Sequence, residues 1–229
     1  MLTQDQAQKF ALEEQTSTDN ILKEHYQMYV LDILFNANFG NDLAFKGGTA
    51  LKLAYGSFRF SEDLDFSVIK TINFQDLKKT IETIPRVIAE SRINEVYDKR
   101  YTLFAKLTFR INFKPIPIGV KVEINKGKKG FDHELHLIKS RFNNLEVLGN
   151  VFTLKQILAD KMRTLQERRE PRDLFDAWYL SQKLTMPFTV AEELQYSKKE
   201  LMDKLNPLLP KKQRKVLELF IKSNPPEAD

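Results

Sequence analysis

Residues 45–68 read FKGGTALKLAYGSFRFSEDLDFSV, and no other stretch constrains the fold as strongly. A short apolar run, LAFK at 43–46, meets two adjacent glycines. TALKLAY then predicts a helix ending near Gly56, and LDFSVI predicts a second strand. Alternate residues of a strand point the same way, so Asp63 and Asp65 share a side if the strand begins by residue 63. Two carboxylates that close repel unless a cation sits between them. A hard divalent cation with oxygen ligands, Mg²⁺ or Mn²⁺, suits the pair. Gly47 and Gly48 let the backbone approach a phosphate, and the helix behind them presents N–H groups to an anion. Thr49 and Ser61 add hydroxyls and Lys46 a charge. The stretch therefore predicts a nucleoside triphosphate with its phosphates on the turn and its metal on the carboxylates.

The remaining chain supplies a frame for this segment. Ile21, Tyr26, Val30, Ile33 and Leu34 recur at helical spacing, so the first forty residues read as helices. Asn73 caps an expected helix over 74–92, disturbed by Pro85. In YTLFAKLTFRINF, Leu103, Ala105, Leu107 and Phe109 alternate with mostly polar residues, as expected of a strand. GVKVEIN alternates too, which places Glu123 on a polar face as a third carboxylate. Three acids from neighbouring strands suit metal-assisted phosphoryl transfer. LEVL at 145–148 reads as a last short strand. From Thr153 the pattern turns helical: Thr153 with Gln156 and Ser197 with Glu200 read as capping boxes, and Pro171 and Pro210 open helices. The expected fold is α+β: a mixed sheet with flanking helices over 1–148, then a helical bundle over 149–229.

Each signal has an ordinary structural counterpart. D-x-D occurs in many surface turns, and Glu123 can be a solvated strand residue paired with Lys121 or Lys106. Asp173 and Asp176 can brace helices through Arg168, Arg169 or Arg172. His133 and His136 lack an evident third ligand, and Trp178 and Tyr179 suit a core. The order strand, Gly-Gly, helix, D-x-D strand, later acid is what points to chemistry.

That order resembles the polymerase-β-type nucleotidyltransferases. FKGGTALKL followed by RFSEDLDFS, and then LKQILADKMRTLQERREPRDLFDAWYL, resembles the AbiEii/AbiGii toxins of type IV toxin–antitoxin systems across about residues 41–180. The resemblance implies a metal-dependent transfer of NMP from an NTP to an acceptor, the 3′ end of tRNA among them, and a cognate antitoxin encoded nearby. It places Gly47, Gly48 and Thr49 at the phosphates, Asp63 and Asp65 at the metal and Arg172 in the last motif, while Lys46 and Ser61 join the nucleotide set, and Glu123 the metal set, by their place in the sequence pattern. Lys161 and Asp176 complete the catalytic set. Two alternatives stand beside it: a nucleotide-binding module that acts through a protein partner, and a transferase with a small-molecule or protein acceptor.

Composition narrows the setting. The chain has 229 residues and no cysteine, which excludes disulfides and thiolate metal sites. No apolar run is long enough to cross a membrane and the N-terminus lacks the pattern of a signal peptide, so a cytoplasmic protein is expected. The formal charge is +5, and residues 197–224 alone hold eight basic residues against three acids. That segment is either solvated surface or a face that tracks RNA phosphates, and the KGKKG turn at 126–130 is either an ordinary solvated turn or a second reach to nucleic acid.

Overall fold

The computed structural model describes residues 1–127, 130–189 and 196–223. Helices α1 (Gln4–Glu14) and α2 (Thr18–Phe35) lead into strand β1 (Leu43–Lys46), the short helix α3 (Gly47–Leu53) and strand β2 (Asp63–Val68). Helix α4 (Phe74–Val87) precedes β3 (Ser91–Asp98), β4 (Thr102–Phe109), β5 (Ile118–Asn125), β6 (His133–Lys139) and β7 (Glu146–Phe152). Helices α5 (Leu154–Arg168), α6 (Pro171–Lys183), α7 (Lys198–Leu205) and α8 (Arg214–Ser223) close the chain. The strands form one mixed sheet in the order β3-β4-β5-β2-β1-β7-β6. β1 runs antiparallel to β2 and parallel to β7, and β2 runs parallel to β5.

Local chemistry explains the element ends. Thr3 and Gln6 make a reciprocal capping box on α1. Asn73 accepts from the Gln75 N–H to start α4. Thr153 accepts from the Gln156 N–H at α5, but the Gln156 side chain turns to the Asp132 N–H and Asp160 rather than back to Thr153. Ser197 caps α7 through the Glu200 N–H, and Pro171 opens α6.

The sheet differs from expectation at its edges. The helix expected over 74–92 stops at Val87, and β3 begins at Ser91, inside its expected end. A register shift between Ile93 and Glu95 breaks the two-residue period there, so no alternation announces the strand. β6 is an edge strand with Leu135 and Leu137 exposed, and only Ile138 reaches the core. His133 and His136 are three apart on it and so lie on opposite faces. β7 runs through Phe152, past the boundary at residue 148.

Two apolar cores hold the molecule. Leu43, Phe45, Leu64, Phe66, Val120 and Val122 of the sheet pack with Leu31 and Leu34 of α2 and Leu77 and Ile81 of α4. Leu165, Phe175, Trp178, Leu201, Leu217 and Phe220 form the core of the helical part. Burying each such side chain stabilises by about 1.5–3 kcal/mol. Phe152 and Ile157 join Ala44, Leu51 and Leu180 in a third cluster that stitches α5 and α6 to the sheet. Among the described residues no helix is long and apolar enough to cross a membrane.

Candidate active site

The strand register assembles the acids. Asp65 lies beside Glu123 on the parallel neighbour β5 and beside Lys46 on β1, and Asp63 lies beside Lys121. Cross-strand neighbours share a face, so the three carboxylates stand on one side of the sheet. They line a cavity of 110 Å³ with Gly48, Arg59, Ser61, Lys161, Arg168 and Arg172. A second cavity, of 160 Å³, is lined by Lys46, Gly47, Phe152, Asp160 and Thr164, and shares Asp65, Lys161 and Arg168 with the first.

The glycine turn fits tightly against the acids. Gly47 has φ of 78°, a region open to glycine, and a Cβ there would sit 2.6 Å from Asp65 Oδ2. A Cβ on Gly48 would meet Arg59 Nη2 at 2.3 Å and Ser61 Oγ at 2.8 Å. Thr49 is buried, and its hydroxyl donates to the Asp63 carbonyl oxygen at 2.6 Å. Gln27, buried on α2, donates to the carbonyls of Ser61 and Glu62 at 3.1 and 3.0 Å. These three hydrogen bonds fix the backbone that enters β2.

Burial pushes the Asp65 carboxyl up to about 6, and the nearby charges of Asp63 and Glu123 add to the rise; Lys46 and Lys161 offset part of it. Lys121 Nζ stands 3.9 Å from Asp63. The donor set is three hard oxygens, which fits Mg²⁺ or Mn²⁺. Among the described residues no three such groups converge into a ready-made cage. Mg²⁺ commonly takes one or two carboxylates and completes its shell with substrate phosphates and water, so an open set suits it.

The helical wall carries a closed charge network. Asp176 accepts from Arg59 Nε at 2.8 Å and Nη2 at 2.6 Å, and pairs with Lys161 Nζ at 2.6 Å. Asp173 accepts from Lys161 at 2.8 Å and from Arg168 Nε at 2.7 Å. Burial works to raise the Asp176 carboxyl, but the charges of Arg59 and Lys161 outweigh it and bring it to about 2. Burial is likewise outweighed at Asp173, where Lys161 and Arg168 hold the carboxyl below its ordinary value. Three cations against two anions leave an excess positive charge beside Asp65. Arg172 lines the first cavity, and its Nε is buried without a hydrogen-bond partner.

The structure thus gathers Gly48, Ser61, Asp63, Asp65, Glu123, Lys161 and Arg172 around one cavity, with Lys46 and Gly47 at its neighbour. Thr49 and Asp176 line neither, since both are buried and bonded to other parts of the protein. Arg59 escaped the sequence reading: it pairs with Asp176 across 117 residues. Its one local signal is an arginine set between Phe58 and Phe60. The basic C-terminal segment packs partly on α1, where Lys212 pairs with Glu14 at 2.6 Å. Arg214 reaches the Asn206 carbonyl at 3.4 Å, whereas Lys211 and Lys215 are exposed. Lys128 and Lys129 of the KGKKG turn lie outside the described residues.

A model of the nucleotidyl transferase AbiEii toxin family, type IV toxin–antitoxin system, matches residues 29–224. No curated protein matches the chain. Among solved structures, MenT4, a nucleotidyltransferase toxin from Mycobacterium tuberculosis H37Rv, is 17% identical with a TM-score of 0.66. That alignment covers 98% of this chain and 88% of MenT4. JHP933 from Helicobacter pylori is 23% identical over 73% of this chain and 68% of its own, with a TM-score of 0.53. At these identities the likeness is one of fold.

Proposed function

The chain belongs to the AbiEii family of type IV toxin nucleotidyltransferases, and from that premise we propose that it moves an NMP from an NTP to a 3′ hydroxyl of RNA, tRNA being the leading candidate, with a divalent cation. The observation that carries this reading is the row Lys46–Asp65–Glu123 on three adjacent strands, set against the Gly47–Gly48 turn and faced by Lys161. In the reaction the acceptor oxygen forms a bond to the α-phosphorus, the α–β bond breaks, and pyrophosphate leaves. When bound, the cation supplies positive charge at the phosphates and acidifies the acceptor hydroxyl.

The residues of the chain do the rest. Asp63, Asp65 and Glu123 would hold the cation, and among the groups lining the cavity these carboxylates are the ones able to take the hydroxyl proton. α3 spans seven residues, so its end contributes little field, and the balancing charge for the triphosphate comes from Lys161, Arg168 and Arg172. Lys46 and Gly47 border the second cavity, which suits the nucleoside side of the substrate. Asp173 and Asp176 position Lys161 through their ion pairs, and Arg59, which pairs with Asp176, also borders the cavity. We also assign a separately encoded antitoxin to this chain, as its family membership implies, and a cytoplasmic site of action.

The test is incubation with each α-labelled NTP, Mg²⁺ and total tRNA. Label in the RNA and release of pyrophosphate are expected, and both stop on chelation. Label on protein or on a small molecule instead would overturn the RNA acceptor.

A further inference from the structure

Strands β3, β4 and β5 leave one sheet face open beside the carboxylates. Val96, Ala105, Leu107, Val120 and Val122 point to the other face, into the core under α2 and α4. On the open face two cross-strand rows lead toward the acids. One pairs Tyr97 with Phe104, Phe104 with Glu123, and Glu123 with Asp65. The other pairs Glu95 with Lys106, Lys106 with Lys121, and Lys121 with Asp63. Neighbouring strands lie about 4.8 Å apart, so Phe104 is roughly 5 Å and Tyr97 roughly 10 Å from the strand that carries Glu123.

The first row begins with a ring platform. Tyr97 and Phe104 stack at 4.8 Å between centroids and 21° between planes, with Phe104 buried beneath and Tyr97 half-buried. Lys99 Nζ stands 4.9 Å from one ring and 5.4 Å from the other. At the hairpin tip Arg100 lies 5.0 Å from the Tyr101 ring, which is 59% exposed. The second row supplies charge: Lys121 is exposed and Lys106 half-buried. Lys106 pairs with Glu95 at 3.7 Å, Lys121 with Asp63 at 3.9 Å and Lys126 with Asp98, and Lys99 and Arg100 add two further cations at the hairpin.

We propose that this face is the acceptor platform and takes the single-stranded 3′ end of an RNA. The inference rests on the nucleotidyltransferase reading above. Sheet-borne aromatic rings stack on unpaired bases, and lysines beside them neutralise the phosphates. An end base against Tyr97, whose ring is backed by Phe104, leaves its ribose toward Glu123 and Asp65, where the α-phosphorus is held. The platform is continuous with the carboxylate cavity through the Phe104–Glu123 pair. The basic C-terminal segment contributes no lining residue to that cavity, which is why we place the acceptor end on the sheet.

The experiment is the anisotropy of a short fluorescein-labelled single-stranded RNA with a free 3′ hydroxyl, titrated with the full chain over a range of salt. The double variant K106Q/K121Q is expected to bind roughly tenfold more weakly and to flatten the log–log salt slope by about 1.4, two phosphate contacts at about 0.7 each. Tyr97→Ala is expected to weaken binding at least about fivefold, and Tyr97→Phe to restore it, because the ring rather than the hydroxyl stacks. Thermal midpoints matching the wild type separate these effects from misfolding. Unchanged affinity and slope in both variants overturns the platform, as does a loss confined to K211Q/K215Q. Tighter binding of single-stranded DNA of the same sequence overturns the assignment to RNA. A wild-type chain that releases pyrophosphate with another acceptor but binds no RNA overturns this inference and leaves the transferase reading standing. A chain that neither binds nor consumes any NTP removes that reading and this one together.

Discussion

The sheet wall of the cavity and its helical wall both carry several charged side chains, but only on the helical wall is every carboxylate closely paired with cations. On α5 and α6, Lys161, Arg168, Asp173 and Asp176 pair with one another and with Arg59 at 2.6–2.8 Å. On β2 and β5, Asp63, Asp65 and Glu123 stand side by side, with Lys121 no nearer to Asp63 than 3.9 Å. The difference separates scaffolding from chemistry. A satisfied network tolerates its own burial and fixes geometry. A cluster of like charges raises the energy of its ionised form and is relieved by a ligand. The sheet wall is where we place the cation and the helical wall is what holds Lys161 over it.

The sharpest break of this comparison is Asp65→Asn. It removes a carboxylate from the unbalanced wall, and transfer should fall by about a thousandfold or more, roughly 4 kcal/mol of transition-state stabilisation. Single-turnover transfer of labelled NMP reads this directly, and a wild-type rate would move the chemistry elsewhere. Asp176→Ala attacks the closely paired wall instead. It leaves Arg59 and Lys161 buried beside a missing partner, so urea unfolding should show a loss of about 3 kcal/mol. Stability equal to wild type would mean that the network does not brace the helices.

Gly47→Ala probes the seam between the walls. The positive φ costs about 1–2 kcal/mol in an L-residue, and the added methyl displaces Asp65 Oδ2. Activity should therefore fall by more than the stability loss alone explains, which paired unfolding and transfer assays measure. The smallest effect is one of sign. Asp65 titrates near 6 in the fold against an ordinary value of 3.8. A raised carboxylate favours the folded state at low pH, and that contribution is lost as pH rises through about 6. Without divalent cation at pH 8, Asp65→Asn should be more stable than wild type by on the order of 1 kcal/mol. The gap should close below pH 4, and thermal unfolding across this range checks it. With cation present the proton competes for the same carboxylate, so cation binding should weaken as pH falls below about 6.

Much of the sheet wall was legible because its signals are local. Strand alternation alone puts Asp63 and Asp65 on one side and Glu123 on a polar face, and the glycine pair announces a turn that side chains would block. β3 was not legible, since its register shift near Ile93 erases the two-residue period. Neither was β6, whose edge position leaves Leu135 and Leu137 exposed and its pattern without a buried face. The helical wall was half legible. A brace through Asp173 and Asp176 was foreseeable, with Arg168 among the expected partners. Arg59 was not, because that contact spans 117 residues and depends on tertiary packing. Thr49 looked like a phosphate ligand by position, and only the structure shows its hydroxyl bonded to the Asp63 carbonyl.

We place nucleotide binding at the sheet-wall carboxylates, through a divalent cation. Calorimetric titration of a non-hydrolysable NTP analogue into the full chain, with Mn²⁺ and then with chelator, tests it most directly. Binding is expected with Mn²⁺, lost on chelation and lost in both Asp63→Asn and Asp65→Asn, while Asp176→Asn still binds. Undiminished binding in chelator, or in the two aspartate variants with Mn²⁺ present, would contradict it.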